Sequence, residues 1–75
     1  AAADQQLAMV RSMVDGLAKK LQDNPKDVDG WIMLMRSYSV LGRAAEASAA
    51  RKSALAANPD SAANINAAAA QLGVN

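Results

Sequence analysis

The stretch NPKDVDGWIMLMRSYSVLGR, residues 24–43, contains the only Trp and the only Tyr of the chain, at Trp31 and Tyr38. They stand seven positions apart, about two helical turns, so they share one helix face. The stretch opens on Asn24-Pro25, and the same pair returns at Asn58-Pro59, 34 residues later. Leu55 follows Leu21 at the same interval. A chain that repeats an Asn-Pro stop at this spacing, with helix formers between, reads as a repetition of helical pairs.

Three stops divide the sequence into four helices. Pro25 and Pro59 cannot continue a helix, and Asn before each tolerates the left-handed conformation that ends one. Gly42, after Leu41, is the third stop. The expected helices run over about 4–23, 28–41, 44–57 and 61–72. The first carries Leu7, Val10, Met13 or Val14, Leu17 and Leu21 at steps of three and four, which predicts one buried stripe. Gly16 lies inside it at a cost of about 1 kcal/mol relative to Ala, which points to close approach by a neighbouring helix. The second helix has Asp27 as N-cap and a main stripe of Val28, Trp31, Leu34, Met35, Tyr38 and Leu41. Ile32 and Met33 put apolar side chains on another side of it. The third is small-faced, with Ala47, Ala50, Ala54 and Leu55. The fourth starts at a Ser61 N-cap, carries four alanines at 67–70, has only Ile65 and Leu72 as bulk, and stops at Gly73.

A 34-residue period of paired helices resembles the tetratricopeptide repeat. Trp31, Leu34, Tyr38, Gly42, Ala47, Ala54 and Pro59 take the places of its pattern. The physical sense is packing: Trp31 and Tyr38 are wedges between two helices, and Ala47 and Ala54 are small where the second helix meets that bulk. Two residues depart from the pattern. Met35 stands at a small-residue place, which predicts a wider crossing. Arg51 stands at an aromatic place, which predicts an open corner of the core or one covered by another segment or chain. The expected fold is all-α: one complete repeat over residues 28–59, a preceding helix in register with a second helix, and a following helix in register with a first helix. The helical hairpins are expected to stack as a right-handed superhelix.

Composition bounds the function. The 75 residues make one small domain, expected to span 1–75, and its 52% apolar content rests largely on Ala, which buries little area. Eight basic and seven acidic residues leave a net charge of +1, which offers no field for nucleic acid or anionic lipid. With no Cys and no His, disulfides, thiol catalysis and the common zinc sites are excluded. No cofactor or metal is expected. No apolar run approaches the ~18 residues of a membrane span. Asp and Ser occur without catalytic partners and there is no Gly-rich phosphate loop, so no enzyme is expected.

The block MVDGLAKKLQDNPKDVDGWIMLMRSYSVLGR, residues 13–43, resembles the repeat domain of the cytochrome c maturation factors called CcmI or CycH. Met9-Val10, Gly16-Leu17, Gly30-Trp31, Arg36-Ser37-Tyr38 and Val40-Leu41-Gly42 carry the likeness, and INAAAAQLG, residues 65–73, resembles the family's last helix. The resemblance implies a periplasmic domain, excised from a longer protein anchored in the bacterial inner membrane. It implies a chaperone or adaptor that captures apocytochrome c by its C-terminal helix and passes it to the haem-ligation machinery.

Repeat hairpins present their first helices on a concave surface. The expected peptide-binding residues are Asp29, Ile32, Met33, Arg36, Ser39 and Val40, with Asn66, Ala63 and Ala70 opposite. Ile32 and Met33 read equally as core. Arg36 reads either as a partner for a ligand carboxylate or as a side chain that contacts only Asp29 or solvent. Two other functions fit the sequence: a general repeat adaptor for another protein, and a self-assembling module, a homo-oligomer whose Ala-rich end packs against a second copy.

Overall fold

A computed structural model of the chain describes residues 2–75, with side chains from Gln5 onward. It has four α-helices: α1 over Ala2–Asp23, α2 over Val28–Val40, α3 over Ala44–Ala57 and α4 over Ala62–Leu72, with a 3₁₀ turn over Pro59–Ser61 before α4. No strand occurs among the described residues. α2 and α3 form an antiparallel hairpin; α1 packs on one side of α2, and α4 packs on α2 and α3.

The helix ends follow from local chemistry. Asp27 caps α2, its Oδ1 accepting from the Gly30 amide at 3.0 Å. Gly42 and Gly73 adopt φ of 73° and 71°, the left-handed region where a Cβ is costly. Three expectations need correction. Among the described residues only Gly has positive φ, so the asparagines do not end helices by the left-handed route. Asn58 is instead buried, and its Nδ2 donates to Ala54 O at 3.1 Å and to Pro25 O at 2.8 Å. Ser61 precedes α4 but makes no side-chain cap bond, because the 3₁₀ turn already engages the backbone there. Gly16 meets no neighbouring helix: a Cβ built on it has nothing within 4 Å. The close approach occurs at Gly30, where a Cβ would lie 2.7 Å from Asp27 Oδ2 and 2.8 Å from Leu21 Cδ2.

The core joins Val14 and Leu21 of α1, Trp31, Leu34, Met35 and Tyr38 of α2, Ala47, Ala50 and Ala54 of α3, and Ile65 and Ala69 of α4. Bulk comes from α2 and smallness from α3, as the wedge reading predicts. The indole is held by polarity as well: Trp31 Nε1 donates to Pro25 O at 2.9 Å. Arg51, at the aromatic place, reaches towards α4. Its Nε donates to Asn66 Oδ1 on α4 at 3.1 Å.

The α1 stripe is only half buried. Val14 and Leu21 are core, but Leu7, Val10 and Met13 are exposed. Length contributes to this at the N-terminal end of α1. α1 has 22 residues against 13 in α2, so at about 1.5 Å per residue it outruns its neighbour by roughly 13 Å.

Tyr38 lies beneath the Arg43 guanidinium, 5.4 Å from ring centroid to Cζ, while Arg43 Nε donates to Glu46 Oε1 at 2.7 Å. Burial pushes the Tyr38 hydroxyl above its ordinary value of 10.0; the Glu46 carboxylate adds to this, Arg43 opposes it, and Asp15 adds a little.

Two measurements follow from the packing. Trp31→Ala is expected to cost about 3–5 kcal/mol, the usual loss for a buried Trp. A domain of this size holds about 4–11 kcal/mol in total, so the variant should lose most of its cooperative thermal transition by circular dichroism. The two glycines should respond oppositely in denaturant melts. Gly16→Ala should stabilise by about 1 kcal/mol. Gly30→Ala should destabilise by about 1–3 kcal/mol, because the capping carboxylate and the buried Leu21 must both give way. A third measurement follows from Tyr38. Its folded pKa lies above the unfolded one, so its stabilising contribution is complete below pH about 10. That contribution then declines as pH rises towards the folded pKa. Tyrosinate absorbance, which reports this residue alone, should titrate above pH 10.0 in the native protein and fall back to about 10 in denaturant.

Candidate functional site

The outward face of α2 combines apolar and charged groups in reach of solvent. Its residues divide between two edges because Ile32 and Met33, adjacent in sequence, point about 100° apart on a helix. The Ile32 edge faces α4. Ile32 and Arg36 line one wall of a shallow trough of about 330 Å³, and Ala68, Gln71 and Leu72 line the other. At one end Ser39 Oγ donates to Leu72 O at 3.3 Å, which ties the two walls together. Ile32 is half-buried against the core, whereas Arg36 is exposed. Arg36 has no ion-pair partner among the described residues and faces solvent.

The Met33 edge faces the other way, towards α1. Met33 and Ser37 join Val10, Met13, Val14 and Leu17 around a groove of about 280 Å³. Met33 is 59% exposed, so it is a surface residue rather than core. Val40, at the end of α2, is 79% exposed and lines neither hollow. Asp29 is exposed in the first turn of α2 and also lines neither. The α4 side of the expected site is displaced around its helix. Asn66 turns to α3, where it accepts from Arg51, and Ala63 and Ala70 are exposed outside the trough lining. Ala68 and Leu72, which take their places, lie 34 residues after Leu34 and Tyr38. That spacing was the available signal for the residues α4 turns inward. The structure therefore brings Ile32 and Arg36 together at the trough, places Ser39 at its end, bonded to Leu72 O but facing the hollow beside Gly42 and Ser48, and separates Met33, Val40, Asp29 and Asn66 from it.

Two further hollows lie elsewhere. One, of about 250 Å³, runs beside Trp31, Leu34 and Tyr38 between α1 and α3. The other lies where Ser48 Oγ donates to Asn75 O at 2.6 Å. No group of three or more His, Cys, Asp or Glu able to hold a metal occurs among the described residues. Nor is any helix among them long and apolar enough to cross a membrane. The trough can supply an apolar floor, one cation and the amide of Gln71. That set suits an extended or helical segment with an apolar face and an acidic group.

No protein-family model matches the chain, and no solved structure matches it. Two curated proteins do. The cytochrome c-type biogenesis protein CycH of Rhizobium meliloti is 44% identical over 52 residues, 69% of this chain and 14% of the relative. The cytochrome c-type biogenesis protein CycH of Bradyrhizobium diazoefficiens is 38% identical over 71 residues, 91% of this chain and 19% of the relative. The chain thus spans less than a fifth of the length of either relative. Over those residues it is related to the CycH cytochrome c-type biogenesis proteins, as residues 13–43 alone imply.

Proposed function

We propose that this chain is a tetratricopeptide-type segment that takes part in cytochrome c maturation. In this reading it holds the C-terminal helix of apocytochrome c in the α2–α4 trough and presents it to the haem-ligation machinery. The work is capture and handover, without catalysis. The setting is the bacterial periplasm, with an inner-membrane anchor supplied by another part of the full-length protein.

The observation that carries the reading is the trough itself, in a chain whose relatives are named for cytochrome c-type biogenesis. A helical ligand laid along it places apolar residues over Ile32, Ala68 and Leu72. Arg36 stands beside them as the one charged group of the lining. It offers a planar guanidinium to an acidic side chain or to a terminal carboxylate, and a bidentate pair of this kind is among the stronger polar contacts. Gln71 adds neutral hydrogen bonding at the far end. Because α4 is alanine-rich, it stands low and leaves depth for the ligand. Asp29, Met33, Val40 and Asn66 flank this path rather than form it, and contribute only if the ligand overruns the trough.

Nuclear magnetic resonance titration with a peptide of the apocytochrome C-terminal helix tests the reading. Shifts are expected at Ile32, Arg36, Gln71 and Leu72. No shift at high micromolar peptide overturns it. Arg36→Glu removes a charge-assisted contact of about 1.5–3 kcal/mol and should weaken binding by about tenfold or more. Its circular dichroism should be unchanged, since Arg36 is exposed.

A further inference from the structure

The hollow beside Trp31, Leu34 and Tyr38 takes no part in the trough, and the two share no lining residue. α2 supplies those three side chains, α1 adds Ala18 and Gln22, and α3 adds Glu46, Ala50 and Ser53. One group in this hollow has no role in the fold. Tyr38 is 8% exposed, yet its hydroxyl bonds to none of the described residues. Among them no side-chain oxygen sealed from solvent lacks a partner, so this hydroxyl reaches the surface, and it does so in the hollow that Tyr38 lines. A polar group on so buried a side chain ordinarily has a partner. The ring of Tyr38 already has one: the Arg43 guanidinium lies over it, with Nε on Glu46 Oε1. That contact uses the ring and one carboxylate oxygen. It leaves Glu46 Oε2 and the Tyr38 hydroxyl without a partner among the described residues.

We propose that this hollow receives a lysine side chain presented by a partner protein, its stem along Ala18, Leu34 and Ala50 and its ammonium on Tyr38, Glu46 and Gln22. Three features select this occupant. The first is charge. The polar side chains of the lining can all accept a hydrogen bond, and no cation stands among them, so Glu46 turns an anion away. The charged groups that act on the Tyr38 hydroxyl are Glu46, Arg43 and Asp15, two carboxylates against one guanidinium. The second is geometry. The acceptors stand on three different helices, and an ammonium has three donors for separate acceptors. A guanidinium is a planar fork that prefers one carboxylate edge, and Arg43 already engages Glu46 in the chain. The third is the rest of the lining, which is apolar. A hollow of about 250 Å³ has room for a four-carbon stem, and Lys buries such stems along apolar surface. The source is a protein surface and not a free amine. The Glu46 side chain is 45% exposed, and an ion pair in that setting contributes little by itself. The ammonium therefore needs a surface behind it that adds contacts around the rim.

Nuclear magnetic resonance titration of the chain with a capped peptide of one lysine among alanines tests this. Resonances of Gln22, Tyr38, Glu46 and Ser53 should shift and saturate in the millimolar range. The same peptide with its lysine acetylated should leave them in place. Glu46→Gln should weaken binding by about tenfold, because it replaces a charge-assisted bond with a neutral one. Tyr38→Phe should weaken binding by about threefold, the scale of one hydrogen bond. Its melting temperature should stay at the wild-type value, because the hydroxyl it removes has no partner in the chain. A marked loss of melting temperature in Tyr38→Phe makes the hydroxyl structural and overturns the proposal. So does the absence of shifts in the hollow at high millimolar peptide. Equal binding of the acetylated peptide makes the hollow an apolar slot, and tighter binding of an arginine peptide makes it a guanidinium site; either result overturns the lysine assignment. Shifts confined to Ile32, Arg36 and Leu72 place the peptide in the trough and exclude the hollow. The trough reading stands or falls separately, by the apocytochrome peptide at Ile32 and Arg36.

Discussion

The carbonyl oxygen of Pro25 ties three elements of the molecule to one another. It lies in the link between α1 and α2, and it receives the indole N–H of Trp31 from α2 and the amide of Asn58 from the end of α3. A carbonyl has two lone pairs, and here both are used. The consequence is geometric. A buried indole must satisfy its N–H, so the wedge has one orientation available, and that orientation sets how deep α2 sits between α1 and α3. Asn58 is the buried polar residue of the described structure, and it also closes the last turn of α3 through Ala54 O. Lys26 Nζ adds a tie from the same link to Ala57 O at 2.7 Å. The hairpin is thus fastened at its open end, opposite the Gly42 turn, by groups that sit on or beside the two Asn-Pro pairs.

That fastening explains which parts of the molecule were legible in the sequence. Helix ends were, because they depend on neighbours in the chain: proline at 25 and 59, positive φ at Gly42 and Gly73, the Asp27 cap. The four expected helices match those observed to within about two residues, apart from the 3₁₀ turn before α4. The wedge was legible because size and spacing are sequence properties. What stayed hidden depends on how one helix is rotated against another. The α1 period gave Gly16 and Met13 a phase, but not the rotation of α1 that turns both away from the core while Val14 packs into it. The asparagines were read as conformational stops, yet Asn58 acts through a donor that reaches 33 residues back, a contact no local rule contains. The same limit applies to the site. Periodicity put Ile32 and Arg36 on the edge of α2 that faces α4. It could not say that α4 turns Ala68 and Leu72, rather than Ala63, Asn66 and Ala70, towards them.

A small chain with little bulk has few ways to fill a core, and this one concentrates its volume on α2. Five of the buried residues belong to that helix, including its Gly, whereas α3 contributes only alanines. Small residues on α3 and α4 let those helices come close, which shortens the distance that each large side chain must span. The cost is that the outer helices bury little of their own. Large apolar residues left over on α1, Leu7, Val10 and Met13, therefore face water together with Met33, and a contiguous apolar patch of this kind on a small domain marks a contact surface.

The two edges of α2 then have different chemistry for a reason that lies in the helix period. Residues 32, 36 and 39 fall on one side and residues 33 and 37 on the other. One edge carries Arg36 and meets a charge-free, low-standing α4; the other carries Met33 and meets the bare part of α1. A ligand with an acidic group gains from the first edge and nothing from the second. A neutral helix gains from the second without burying a charge. Contacts at the two edges share no side chain, so substitutions at Arg36 and at Met33 should act independently of one another. A single thirteen-residue helix can in this way hold the core with one face and offer two separate surfaces with the other, without either surface competing for the side chains that keep the wedge in place.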